Sequence, residues 1–344
     1  MESLQKSFDH CAQICANSGS NFISAFRLLP QRERQAMEAV YAFMRLADDL
    51  VDDTQSTDDA RLFLGLFQTT FLEALKDPER AFSELPSSNS PILSLYFIFP
   101  AIYETIRQYS IPTQYFLDVL HGIQTDLEKN FFQTVEELEN YCYHVASAVG
   151  LICLHIWGIP AAQIAPDADT PIFRAAVSCG KALQWTNILR DVLDDAQNDR
   201  LYLPLDDWNC LTLQKTKTSN QNPMTDEEKK NLSSLIKNKI LAENCSDFLP
   251  VIKKNLARAE QFYAETVPLA EWIPKRNRKV FLLMTSVYHR IFEKISQTPE
   301  IVFNQKVKLG KIEKIKLYFR IFFNKKFSNE AKHLAKNKKS VKMN

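Results

Sequence analysis

The chain has 344 residues, 45% hydrophobic and 24% charged, a globular composition that excludes a disordered or membrane-spanning class. Only 7 residues are glycine, and no GxGxxG, GxxxxGKS or GxxxxGKT string occurs. That weighs against folds built on hairpins, βα turns or glycine-rich nucleotide loops. The net charge of +1 hides an asymmetry: residues 305–344 carry 13 Lys and Arg against two acids, so this segment is +11 and the remainder −10.

Residues 1–20 are polar and lack the apolar run of a signal peptide. Pro30 marks a helix start, after which Ala36, Val40, Phe43, Ala47 and Leu50 form one stripe at three- and four-residue steps. Residues 77–91 read as a loop. Thr134 with Glu137 has capping-box spacing ahead of Leu138, Tyr141 and Val145. The most apolar stretch, residues 145–158, is too short to span a membrane and predicts a buried helix, with His144 and His155 as core residues rather than ligands. Residues 209–223 read as a second loop, and Thr225 with Glu228 predicts another helix start. Seven scattered cysteines without a CxxC pair indicate reduced, mostly buried thiols and so a cytoplasmic setting. Strand-like alternation is missing. The expectation is all-α: one helical domain of about ten helices over residues 1–304, then a basic amphipathic helix and tail over 305–344.

Two acidic clusters stand out. In Arg45-Leu46-Ala47-Asp48-Asp49-Leu50-Val51-Asp52-Asp53, residues four apart share a helical face, pairing Asp48 with Asp52. Acidic runs are usually solvated helix ends, and like charges this close weaken a helix unless a cation such as Mg²⁺ binds them. The second string, Gln184-Trp185-Thr186-Asn187-Ile188-Leu189-Arg190-Asp191-Val192-Leu193-Asp194-Asp195, places Asn187, Asp191 and Asp195 on one face of an otherwise apolar helix, with Gln184 able to join. Burying carboxylates without partners costs several kcal/mol per ion. Two such rows are accounted for if they face each other across a cavity that holds metal and diphosphate.

The sequence resembles the squalene/phytoene synthase family. The resemblance rests on Gly19-Ser20-Asn21-Phe22, Arg27-Leu28-Leu29-Pro30, Tyr41-Ala42-Phe43-Met44-Arg45, the Asp48–Asp52 row, Asp126-Leu127, Tyr141-Cys142-Tyr143, Val149-Gly150, Gln184 through Asp191, and Arg200-Leu201-Tyr202-Leu203-Pro204. It covers roughly residues 15–290 and implies an isoprenoid-synthase helical bundle with a central cavity. It also implies a Mg²⁺-dependent transferase that joins two prenyl diphosphates head to head, giving a carotenoid, hopanoid or sterol precursor. On this resemblance Asp48, Asp52, Asn187, Asp191 and Asp195 are the metal ligands. Ser20, Phe22, Phe26, Arg45, Gln184, Asn187, Arg190 and Arg200 are candidates for substrate binding. Tyr41, Tyr143 and Tyr202 join the acids as catalytic candidates, since aromatic faces tolerate a carbocation. For Phe22 and Phe26 a core role weighs equally, and for Arg45 an intrahelical ion pair does.

Departures from the family pattern bear on product. Asn21 stands where a phosphate-binding Ser is common, Ser147 replaces the Gly of a Val-Ala-Gly string, and Leu193 stands where phytoene synthases tend to have Gly. Asn21-Phe22 and Ala47-Asp48-Asp49 look like the hydroxysqualene-synthase branch, and Asn187 through Asp191 like the presqualene or phytoene branch. The expectation is two farnesyl diphosphates giving presqualene diphosphate or squalene, with NADPH entering only if the product is squalene. The alternatives are phytoene from two geranylgeranyl diphosphates, and a non-catalytic assembly-factor relative, which would be free to lose its metal ligands. Chain-elongating prenyltransferases and class I terpene cyclases also pair acidic helices, but lack the Asn187–Asp191 and Arg200–Pro204 strings. The basic C-terminal segment suggests a peripheral position at the inner face of a membrane, with a final bundle helix as the equal alternative; nothing else supports nucleic-acid binding.

Overall fold

The computed structural model describes residues 2–18, 21–52, 54, 56–83, 92–212, 224–242 and 246–323. The chain is all-α: seventeen α-helical segments and no named strand occur among the described residues, with one isolated bridge between Phe131 and Leu201. The count exceeds the ten or so helices expected: it includes the short segments Asn21–Phe26, Pro78–Ser83 and Leu269–Trp272, and longer stretches are interrupted at the π-helical turn Tyr143–Ser147 and at Asp191. Two compact units emerge, one of Met1–Glu128, Ala148–Val177 and Pro268–Met284, the other of Lys129–Ser147, Ser178–Val267 and Thr285–Asn344.

The first unit is organised on the helix Gln31–Asp52, which packs against Glu2–Asn17, Thr57–Lys76, Leu93–Tyr109 and Thr113–Glu128. Of its predicted stripe, Ala36, Val40, Phe43 and Ala47 are buried and Leu50 is half-buried. Phe43 is the hub. Its ring meets Phe67 at 5.0 Å, Phe71 at 4.8 Å and Phe116 at 5.2 Å, tilted or edge-on as aromatic quadrupoles prefer. The apolar stretch that follows Ser147 is the buried helix Ala148–Ile156. His155 lies in the core as expected, yet neither ring nitrogen has a hydrogen-bond partner at good geometry, and burial lowers its pKa so that the ring stays neutral.

Part of the predicted loop over residues 77–91 is helical: Pro78–Ser83 forms a short helix, with Asp77 accepting from the Arg80 N–H at 3.1 Å. An Asp before a Pro at the first helical position is a start signal that the loop-like composition masked. Residues 84–91 lie outside the described set.

In the second unit Thr134 caps Val135–Cys142 by accepting from the Glu137 N–H at 3.2 Å, and Thr225 with Glu228 forms a complete capping box. The second predicted loop begins inside the helix Leu205–Thr212, and residues 213–223 are outside the described set. Trp185 and Trp208 are fully buried. The Trp185 indole donates to Asn255 Oδ1 at 3.2 Å, and the Asn255 amide donates to Asp207 Oδ2 at 3.0 Å. Cys11, Cys15, Cys142, Cys153 and Cys179 are buried thiols, as expected.

Gly180 marks a close helix approach. A Cβ there would collide with the backbone and Oγ of Ser147, which is fully buried. The two positions are complementary: a side chain at 147 is accommodated because 180 has none. Gly180→Ala should therefore destabilise the chain by about 1–3 kcal/mol, the usual range for overpacking, visible as a lower urea midpoint at unchanged slope. Wild-type stability in this variant would contradict the contact.

Candidate functional site

The first acidic row ends the helix Gln31–Asp52, whose last turn holds no basic residue. Carboxylates there face the negative end of the helix dipole as well as one another. Arg45 makes the intrahelical pair, but with Asp49 rather than Asp48: Nη2 lies 2.5 Å from Oδ1 and Nε donates to Oδ2 at 3.1 Å. Solvent reaches Asp48, yet the surrounding protein strips much of its hydration. That burial, with Asp52 one turn on, pushes the Asp48 carboxyl up to about 7, with Asp126 adding to the shift and Arg45 opposing it. Asp52 is exposed, and Asp53 lies outside the described residues.

The second row starts on the helix Pro171–Arg190 and crosses a break. Asp191 has φ −103° and ψ 11°, a bridge-region backbone often found at active sites, and precedes the short helix Val192–Gln197. Helical hydrogen bonding survives the break, with Asp191 N donating to Asn187 O at 2.9 Å and Asp195 N to Asp191 O at 2.8 Å. The four-residue spacing of Asn187, Asp191 and Asp195 is thus kept. The Asn187 amide donates to Gln184 Oε1 at 3.2 Å, joining Gln184 to the row. Burial first, then Asp191, push the Asp195 carboxyl up to about 7 against the opposing charges of Arg200 and Lys306.

Cations crowd the middle of this row. Arg190 grips Asp191 through two parallel contacts, Nε to Oδ1 at 2.8 Å and Nη2 to Oδ2. Lys306 Nζ lies 3.0 Å from Asp191 Oδ1 and 2.9 Å from Asp194 Oδ2. The Tyr288 hydroxyl, its pKa raised chiefly by burial, adjoins Arg190 and Asn187. Asn187 Oδ1 nevertheless remains buried without a hydrogen-bond partner of good geometry.

Arg200 and Tyr202 reach this neighbourhood on an extended segment pinned along residues 130–133, with Leu201 N donating to Asn130 O at 2.7 Å and Leu205 N to Phe132 O at 2.9 Å. Tyr202 stacks on Tyr141 at 5.5 Å and Phe132 at 5.9 Å, and its hydroxyl accepts from Arg200 Nη1 at 3.2 Å.

These donor sets suit a hard divalent cation. They are oxygen-only, spaced by one helical turn, with one orphaned amide oxygen and two carboxyls whose charge the protein disfavours. Among the described residues no group of three or more His, Cys, Asp or Glu converges on one point.

A family model described as squalene/phytoene synthase matches residues 15–313. The chain belongs to the squalene/phytoene synthase family. Phytoene synthase 1 of Arabidopsis thaliana is 27% identical over 313 residues, covering 91% of this chain and 65% of that protein. The 15-cis-phytoene synthase of Synechococcus elongatus is 34% identical over 208 residues, 59% of this chain and 63% of that protein. The chain therefore spans less than two-thirds of the length of these curated relatives. A crystal structure of a dehydrosqualene synthase in complex with ligand aligns with TM-score 0.69 and 25% identity, covering 93% of this chain and 96% of that one. A squalene synthase from Alicyclobacillus acidocaldarius shares the fold, with TM-score 0.65 and 23% identity over 86% of this chain and 95% of that one.

Of the remaining candidates drawn from the squalene/phytoene synthase resemblance, Tyr41 is half-buried with its ring 6.4 Å from buried Phe26, edge-on. Tyr143 is half-buried in the π-helical turn, its ring 5.3 Å from His144. Phe22 belongs to the helix Asn21–Phe26, and Ser20 lies outside the described residues. Three residues gain a place that sequence reasoning had not given them. Asp126 lies in the Asp126-Leu127 string, which by itself implies no role, Tyr288 stands in no distinguishing pattern, and Lys306 is one of many lysines in the basic segment.

Two outcomes follow. Asp195 has a pKa above its unfolded value, so the folded chain holds a proton the unfolded chain has lost, and stability falls as pH rises from about 4 towards 7. With divalent ions chelated, Asp195→Asn should melt above wild type at pH 8 and by a clearly smaller margin at pH 5; equal margins at both would show normal ionisation. Lys306 competes for Asp191, so Lys306→Gln should tighten calorimetric Mg²⁺ binding roughly two- to fivefold without diphosphate, the scale of a partly exposed ion pair. Weaker binding would make Lys306 a support rather than a competitor.

Proposed function

We propose that this chain condenses two prenyl diphosphates head to head with release of diphosphate. The observation that carries the reading is the pair of acid rows, each holding one carboxyl pushed up to about 7 where an opposing charge would be expected to settle it. Asp48 and Asp52 in one row, and Asn187, Asp191 and Asp195 in the other, would hold Mg²⁺ against substrate diphosphate. The metal, when bound, supplies Lewis-acid neutralisation of the charge that develops on a departing diphosphate.

The chain's own groups do the rest. Arg190 and Lys306 offer cationic donors beside the second row, and Arg200 sits close enough to Asp195 to influence its ionisation. Such groups hold phosphate oxygens by charge-assisted hydrogen bonds. The stacked Tyr141 and Tyr202, with Phe132, place aromatic surface beside Arg200, suited to shielding a cationic allyl group from water.

We take farnesyl diphosphate as substrate, with presqualene diphosphate or squalene as product. The likeness to a dehydrosqualene synthase across 93% of the chain supports that length. A second reading, phytoene from two geranylgeranyl diphosphates, is favoured by the relatives in Arabidopsis and Synechococcus. We also place the chain at a membrane surface, where such amphiphilic substrates and an apolar product would reside. No helix among the described residues is long and apolar enough to cross a membrane.

Incubation with each diphosphate and Mg²⁺, with and without NADPH, should yield a C30 product from farnesyl diphosphate, and a C40 product would establish the second reading. Asp48→Asn and Asp191→Asn should each cut turnover by about 10²–10³-fold, the scale of losing one charge-stabilising group, while the far-UV spectrum is retained. No product from either substrate and no Mg²⁺-dependent diphosphate binding, together with a tightly co-purifying protein, would point to the assembly-factor alternative.

A further inference from the structure

The helix Lys311–Phe323, within the second unit, has two opposed faces. Glu313, Leu317 and Ile321, at steps of four, form the inner one. Glu313 accepts from Lys294 Nζ at 2.7 Å and from the Gly310 N–H at 2.9 Å, Leu317 packs against the hydrophobic core, and Ile321 is buried. The helix is therefore seated, and its orientation about its own axis is set.

Seating it this way turns apolar side chains outward. Ile312, Ile315 and Phe319 are 68%, 53% and 55% exposed. At about 100° per residue they fall within an arc of roughly 60° on the side away from the inner face. Lys311 borders this stripe on one flank, Lys316 and Arg320 on the other, and all three are exposed. A contiguous apolar stripe fringed by cations is the pattern of a helix that lies in a lipid interface.

Charge narrows the choice of occupant. Residues 324–344 hold seven lysines against one acid, so the chain's own tail would bring like charge to this face, as would a second copy of the helix. We propose that the helix Lys311–Phe323 docks the chain on an anionic bilayer, with Ile312, Ile315 and Phe319 entering between lipids and Lys311, Lys316 and Arg320 meeting headgroup phosphates. This rests on the membrane position proposed above and names the surface that makes it.

The test is co-sedimentation of the full chain with vesicles of phosphatidylcholine alone or with one-quarter phosphatidylglycerol, at fixed salt. Wild type should partition onto the anionic vesicles only. Ile315→Glu/Phe319→Glu should lose binding at least about 100-fold, because two charges would have to enter the interface. Lys311→Gln/Lys316→Gln/Arg320→Gln should weaken it about 100-fold, from roughly fivefold per cation. All substituted positions are exposed, and an unchanged melting midpoint checks that the fold is kept. Wild type that binds neither vesicle, or that is retained on RNA instead, overturns the membrane position itself. Wild type that binds while both variants bind as well overturns this face and leaves the membrane position standing.

Discussion

Like charges held close together on rigid helices are the constraint from which the rest of this chain's chemistry follows. Asp48 and Asp52 share a turn at the negative end of the helix Gln31–Asp52, and Asp191 and Asp195 share a turn on either side of a helix break. Each row stands on a helix that packs into its own unit's core. The first is tied to the aromatic hub at Phe43, and the second follows a helix anchored by Trp185 through Asn255. Burial first, and the like charge one turn away second, push Asp48 and Asp195 up to about 7. A rigid group that disfavours its own charge is one that gains from an incoming cation.

Asp207 shows what a settled carboxylate looks like in the same unit as Asp195. It is more buried, and burial pushes its pKa up. Hydrogen bonds from Arg258, Lys254 and Asn255 outweigh that effect and hold it below its ordinary value. Asp207 is a structural acid with its counter-charges supplied by the chain. Asp195 has Arg200 and Lys306 nearby, but their effect falls short of burial and the Asp191 charge. The contrast between two aspartates of one unit separates framework from candidate chemistry by a physical criterion rather than by motif.

Interruptions in helices gather near candidate residues. The π-helical turn Tyr143–Ser147 carries Tyr143, and the bridge-region residue Asp191 carries the metal-ligand candidate itself. Single-turn π segments and bridge-region residues cost local backbone energy and recur at functional positions. Ser147, which ends that π-helical turn, is accommodated because Gly180 has no side chain where the two segments meet.

Sequence alone determined the all-helical class, the caps at Thr134 and Thr225, the core stripe of Gln31–Asp52, and both acid rows, because each depends on spacings of three or four residues that a helix turns directly into neighbours. Its reading of residues 77–91 as loop missed the Asp77–Pro78 start, since composition outweighed a two-residue signal. Only tertiary structure decided that Tyr288 and Lys306 join the second row, and which face of Lys311–Phe323 is seated. Those outcomes depend on packing between segments far apart in the chain, and on desolvation, which no local pattern encodes. A lysine in a lysine-rich stretch becomes distinctive only when the fold brings Asp191 and Asp194 within 3.0 Å of its ammonium group.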